Sequence, residues 1–238
     1  LSFRANHRLV EKVPLEVEWS YLVNETLAGE RCILPLLENL ASDMRLPRSL
    51  RSLLQQQIAE EADHVARYEA LFHGQRFAST GYDKEFSQFV RDIGPITLKL
   101  FSLQAILESI SLGALTYRRD AFIDSPSEID DMQILKDEEG HVRFGLAFLG
   151  LLREIDGAIA LPDFDEITHA SNSIFARHFN GSNIAHFLDT NFAIRTVAAS
   201  DIDRSPGMKI FKRISTKTII KIKNEFIHRY VNTKIKQS

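Results

Sequence analysis

Apolar residues recur along this chain at three- and four-residue spacing over long stretches, the period of helices with one buried stripe rather than of strands. The first stretch predicts a helix from about 16 to 39, on which Leu22, Thr26, Ile33 and Leu37 share or flank the face of Glu30. Leu46-Pro47 restarts the chain, because proline suits a first helical turn. A second helix then runs to about 72, with Leu50, Leu53, Leu54, Ile58, Glu61, Val65 and Tyr68 near one stripe. After a polar crossing, HGQRFASTGYD, a short helix near 83–93 breaks at Gly94-Pro95, and a very apolar helix follows to about 119 with Glu108 in its middle. Ser125-Pro126-Ser127-Glu128 reads as a helix start, with Ser125 as N-cap and Glu128 three positions after it. It predicts a fourth helix through Glu138 and His141 to about 155. Beyond Pro162 the helical pattern continues over roughly 164–180, 183–199 and 206–235. The expected fold is all-α: one domain over 1–238, with a four-helix bundle core at about 16–156 and a C-terminal helical extension at about 163–236.

The polar residues that interrupt the apolar faces carry the chemistry. Glu61/His64 and Glu138/His141 are two copies of Glu-x-x-His, and single glutamates, Glu30 and Glu108, precede them. A carboxylate and an imidazole three residues apart on a helix lie about 60° apart around the axis and about 4.5 Å along it, so both reach one ion. Two units imply two ions. Four carboxylates and two imidazoles, one contribution per helix, match the ligand set that helical bundles use for two iron or manganese ions. Glu108 sharpens the assignment. Its neighbours Phe101, Gln104, Ala105, Leu112 and Leu115 are mostly apolar, and a buried carboxylate is costly unless it meets a metal, a cation or a proton. Each pair also follows an acid, Glu60 or Asp137. Since ligating histidines donate their second N–H to a carboxylate, Asp137 is expected on one imidazole and Glu60 on the other, across the bundle.

Composition sets the class. With 44% hydrophobic residues in 238, the chain buries a sizeable core, and 11 Gly with 7 Pro fit long helices better than many turns. A single cysteine, Cys32, excludes an internal disulfide framework and fits a reducing compartment. No apolar run approaches the roughly 18 residues that span a bilayer, and the amino end lacks a signal-peptide core, so the expectation is a cytoplasmic protein with no membrane span. The net charge of −3 divides unevenly: residues 204–238 hold ten Lys/Arg against Glu225, leaving an acidic body. That body and the absence of a recognised motif argue against nucleic acid, and no phosphate loop or dinucleotide fingerprint occurs.

Gly29-Glu30, Glu61-Ala-Asp-His64, Glu108 and the run from Asp137 through Glu138, His141 and Phe144 to Gly145 resemble the non-haem di-iron carboxylate oxidases and oxygenases of the ferritin-like superfamily. In length and in its DExxHxxFG run the chain is most similar to the aldehyde-deformylating oxygenases. It also resembles the aminoarene N-oxygenases, although Ile134 stands where those carry an extra His. Tyr68 matches the position of the radical tyrosine in the ribonucleotide reductase small subunit and is read here as a core residue beside the centre. The resemblance implies two Fe ions (Mn also fits), with Glu30, Glu61, His64, Glu108, Glu138 and His141 as catalytic metal ligands and O2 as co-substrate. It implies a peroxo-di-iron route to oxidation of a small organic substrate: an amine or N-containing intermediate, an aldehyde or an acyl chain. Thr26, Leu27, Phe101, Gln104, Leu107, Ser111 and Phe144, about one turn from ligands, are the expected substrate lining. With no flavin or Fe–S signature, electrons are expected from an external ferredoxin or reductase. Lys217, Lys221, Lys223, Arg229 and Lys234 among apolar residues of the basic tail offer a docking face. A homodimer is compatible with this reading. The alternative is a ferritin-like iron-handling protein that oxidises Fe(II) without an organic substrate.

Overall fold

The computed structural model describes residues 15–72, 79–121, 128–147, 152, 155–157, 159–192, 199–204 and 206–232. Among them every regular element is helical, as the apolar period requires. Helix α1 (Leu15–Ala41) ends where Asp43 takes the Arg45 backbone N–H at 2.9 Å in a tight turn. Pro47, with extended backbone, then opens α2 (Arg48–Leu71). The start of α3 (Tyr82–Asp92) needs Gly81, whose φ of +92° is strained for any residue with a Cβ. Gly94-Pro95 makes the expected break before the longest apolar stretch.

That stretch is not one regular helix. Helix α4 (Ile96–Leu100) passes into a π-helical segment, Phe101–Leu107, where the Glu108 N–H reaches back five residues to the Leu103 carbonyl, and only then into α5 (Glu108–Ala121). A π turn accommodates one extra residue and changes the angular setting of everything after it. Apolar spacing carries no signature for such a turn. By length and composition Ile96–Asp120 could cross a membrane, contrary to the sequence expectation, but most of it is buried inside the protein, the mark of a core helix.

Helix α6 (Glu128–Ala147) packs on α5, α2 and the π segment. The proposed cap at Ser125 and Pro126 lies outside the described residues. Helix α1 packs along α2 and also meets α3 and α5. These helices enclose a continuous apolar core from Ile33, Leu37 and Leu54 to Leu103, Ile106 and Val142.

The chain then adds α7 (Leu161–His178), α8 (Gly181–Phe192), α9 (Ala199–Arg204) and α10 (Pro206–Asn232). Of the predicted helix over 183–199, the part through Phe192 is helical within α8, and residues 193–198 lie outside the described set. Helix α10 lies on α5, the π segment and α6, burying Ile219, Ile222 and Phe226. Phe101, Phe164 and Phe226 form an aromatic knot with ring centroids 4.8–6.0 Å apart, tying α7 and α10 to the π segment. On the outer side of α10, Lys217, Lys221 and Ile220 are exposed, while Lys223 pairs with Asp165 at 2.7 Å and Arg229 with Glu225 at 2.5 Å. The side chain of Lys234 lies outside the described residues.

Close approach of α10 to α5 depends on Gly113, where an added Cβ would lie 2.9 Å from the Ser215 Cα and 2.6 Å from its Oγ. Gly113→Ala should lower unfolding free energy by about 1–3 kcal/mol, measured by urea denaturation. A midpoint equal to wild type would show that α10 shifts outward at no cost.

Candidate metal centre

Glu30, Glu61, His64, Glu108, Glu138 and His141 come from α1, α2, α5 and α6, and none is more than 3% exposed. They divide into two overlapping groups: Glu30, Glu61, His64 and Glu138, then Glu61, Glu108, Glu138 and His141. Within each group, one candidate ligand atom from every residue lies within 4.8 Å of the others. Ligands on opposite sides of one ion, at bond lengths of about 2.1 Å, stand about 4.2 Å apart, so a small contraction brings each group onto a cation. Glu61 and Glu138 belong to both groups. Glu30 with His64, and Glu108 with His141, complete one each.

Both imidazoles turn Nδ1 inward. His64 Nδ1 lies 3.2 Å from Glu61, 3.6 Å from Glu30 and 3.6 Å from Glu138. His141 Nδ1 lies 3.1 Å from Glu61, 3.6 Å from Glu138 and 3.7 Å from Glu108. Each Nε2 faces a carboxylate on the opposite helix: His64 toward Asp137 at 3.4 Å, His141 toward Glu60 at 2.9 Å. The crossed arrangement expected for Asp137 and Glu60 is the one observed. With an ion in place, it would keep a proton on Nε2 and leave the Nδ1 lone pair for the ion.

The electrostatics fit a cation pair. Burial, then the charges of Glu61 and Glu138, push the Glu30 carboxyl well up; burial and the Glu138 charge do the same to Glu108. Burial would raise Glu61 as well, but hydrogen bonds from His141 and His64 pull it well below the carboxylate range. Burial opposes charge on the imidazoles, yet the surrounding glutamates raise both to about 11. The cluster thus gathers protons as counter-charge, a role that two dications fill more compactly. Both oxygens of Glu138 and Oε1 of Glu30 are buried without hydrogen-bond partners. Such atoms are costly unless something binds them.

Around the ligands, Gln57 donates to Glu108 at 2.8 Å and to Glu61 at 3.1 Å, while Gln104 donates to Gln57 at 2.8 Å. The π segment brings Gln104 under α6, where Gly145 makes room: a Cβ there would lie 2.5 Å from the Gln104 Cβ. Gln57 went unremarked in the sequence, although it lies one turn before Glu61 on the same stripe. Tyr68 is fully buried among Val23, Leu27, Phe72, Leu115, Ile134 and Leu135, and its hydroxyl accepts from the buried Arg118 at 3.3 Å.

A cavity of about 30 Å³, room for roughly two waters, reaches Glu30 and Glu108 from one side. Of the expected lining, Thr26, Leu107 and Ser111 face it. Leu27 packs beside Tyr68, Phe101 sits in the aromatic knot, Gln104 serves Gln57, and Phe144 is half-buried against the main core. The cavity also meets Tyr21, Glu25 and Tyr82, which the sequence reading passed over. The available signal was Asn24-Glu25-Thr26, a polar triplet within an apolar helix. Glu25 is 4% exposed and accepts from Thr80 Oγ1 at 2.8 Å, from the Thr80 N–H and from Asn24.

No protein-family model, curated protein or solved structure matches this chain.

Anaerobic titration with Fe(II) or Mn(II) should give two ions per chain. Glu61→Ala removes a ligand common to both groups and should abolish tight uptake of both, whereas Glu108→Ala should retain one; full occupancy in either would break the ligand assignment. A second test concerns Glu25. Burial pushes its carboxyl up to about 7, against the hydrogen bonds from Thr80 and Asn24, with the Asp83 charge adding to the rise. Its contribution to stability is whole below the unfolded value near 4.5 and is lost as pH climbs through about 7. Glu25→Gln should therefore gain on wild type between pH 5 and 8, by about 2–3 kcal/mol, in urea midpoints. Parallel pH profiles would show that the buried charge costs nothing.

Proposed function

We propose that this chain is an O2-dependent non-haem di-iron oxidase or oxygenase with a ferritin-like four-helix core, acting on a small organic substrate. The observation that carries this reading is the overlap of the two ligand groups. Glu61 and Glu138 belong to both, and each group gains one further glutamate and one histidine. A mononuclear site has no use for a shared pair of carboxylates. Oxygen-rich donors favour iron or manganese over zinc or copper. Bound iron would supply the electrons and the open positions for dioxygen chemistry.

The chain's own residues do the rest. Asp137 and Glu60 hold the imidazoles with Nδ1 directed inward, and Gln57 orients Glu61 and Glu108 by donating to both. Leu22, Ile33 and Leu107 give the cavity an apolar wall that limits water beside the ligands. An amine or N-containing molecule, an aldehyde or an acyl chain would approach between Glu30 and Glu108, where that cavity opens. A ferredoxin or reductase would deliver electrons from outside, with the exposed Lys217 and Lys221 of α10 as a positive docking face.

Anaerobic loading with two Fe(II) per chain, followed by stopped-flow absorption on mixing with O2, tests this reading. Decay of the oxygenated species should accelerate with candidate organic substrates, and mass spectrometry should detect oxidised product. Stoichiometric Fe(II) oxidation indifferent to every organic additive would overturn it in favour of iron handling.

A further inference from the structure

The cavity beside the ligands has a larger neighbour. Ile110 and Phe179, two of its walls, also line a second cavity of about 300 Å³ between α7 and α10, bounded further by Phe175, Ile219, Asn172 and Ser215. These two side chains stand between a small inner chamber at Glu30 and Glu108 and a larger, mainly apolar outer one, so a ligand spanning both passes beside them. At the outer rim Lys212 pairs with Asp203 at 3.4 Å.

The inner chamber is one-sided in its chemistry. Apart from the metal ligands, its polar groups among the described residues are the Glu25 carboxylate and the hydroxyls of Tyr21, Thr26, Tyr82 and Ser111, with no Lys, Arg or His among them. Thr26 bonds to the Leu22 carbonyl at 2.9 Å and Tyr82 to the Glu25 carbonyl at 2.9 Å. Tyr21, one helical turn before Glu25, is 1% exposed, and its hydroxyl is buried with no hydrogen-bond partner. Glu25 accepts from Thr80 and Asn24, but no cationic side chain among the described residues pairs with it. A buried carboxylate without a counter-charge and an unsatisfied hydroxyl beside it form an incomplete site.

We propose that Glu25 and Tyr21 are the head-group subsite of the substrate, selecting a protonated-nitrogen head such as an ammonium, while the outer chamber holds the apolar body. This rests on the oxidase reading for its reaction, but not for its binding. The ammonium supplies the charge that Glu25 lacks and a donor for the Tyr21 hydroxyl. A carboxylate or phosphate head would meet the Glu25 charge here, with no cationic side chain among the described lining residues to offset it. The dimensions agree: two waters' worth of space takes a head group, and the outer chamber takes a hexyl chain.

The test uses protein loaded with two equivalents of Mn(II), so that the ligand carboxylates are engaged, and calorimetric titration with hexylamine, hexanoate and 1-hexanol at pH 7.5. Hexylamine should bind at least about tenfold more tightly than the other two. Glu25→Gln should weaken it by about tenfold or more and Tyr21→Phe by about threefold, the ranges for charged and neutral hydrogen bonds. Phe179→Trp, at the junction of the chambers, should weaken hexylamine without changing Mn(II) stoichiometry. Hexanoate binding equal to hexylamine, no hexylamine binding, or unchanged hexylamine affinity in Glu25→Gln at full Mn(II) content would each overturn the proposal. Failure of wild type to take up Mn(II) would instead remove the metal reading, with the subsite still decided by whether hexylamine binding depends on Glu25.

Discussion

Six ionisable side chains share one buried volume, and the repulsion among their carboxylates is the constraint the surrounding structure must answer. Four carboxylates within a few ångströms cannot all be charged unless positive charge stands among them. The inward imidazoles provide part of it, which is why the same glutamates that raise His64 and His141 are themselves pulled in opposite directions, Glu61 down and Glu30 and Glu108 up. An interior built only for stability would place leucines here. Retaining the charges makes sense where they hold something.

Holding them costs further structure, and most of it is visible one layer out. Asp137 and Glu60 lie at the half-exposed edge of the cluster, each bonded across to the other pair's histidine. Each helix pair thereby helps set the geometry of its opposite, so neither half of the centre is independent of the other. Gln57 and Gln104 extend the support through the core to Gly145, whose missing side chain lets α6 approach.

The helices and the six central residues were legible in the sequence because they rest on local rules. A 3.6-residue period and an i, i+3 pair survive whatever the helices pack against. The crossed carboxylates were legible for a related reason, since an acid immediately before each Glu-x-x-His lies about 100° around the helix from its own glutamate. What escaped depends on distant packing. Phe101 and Gln104 have the right spacing to face a substrate, but the first is claimed by Phe164 and Phe226 and the second by Gln57. Glu25 was overlooked because its burial comes from Thr80 and Tyr82, more than fifty residues away in sequence.

The π segment ahead of Glu108 separates two demands that a regular helix would couple. Upstream, Phe101 must meet the aromatic rings of α7 and α10; downstream, Glu108 must face the glutamates of α1, α2 and α6. With 3.6 residues per turn, only certain spacings satisfy both at once. One accommodated residue resets the phase between them by about 100°, so a single continuous helical run satisfies both contacts.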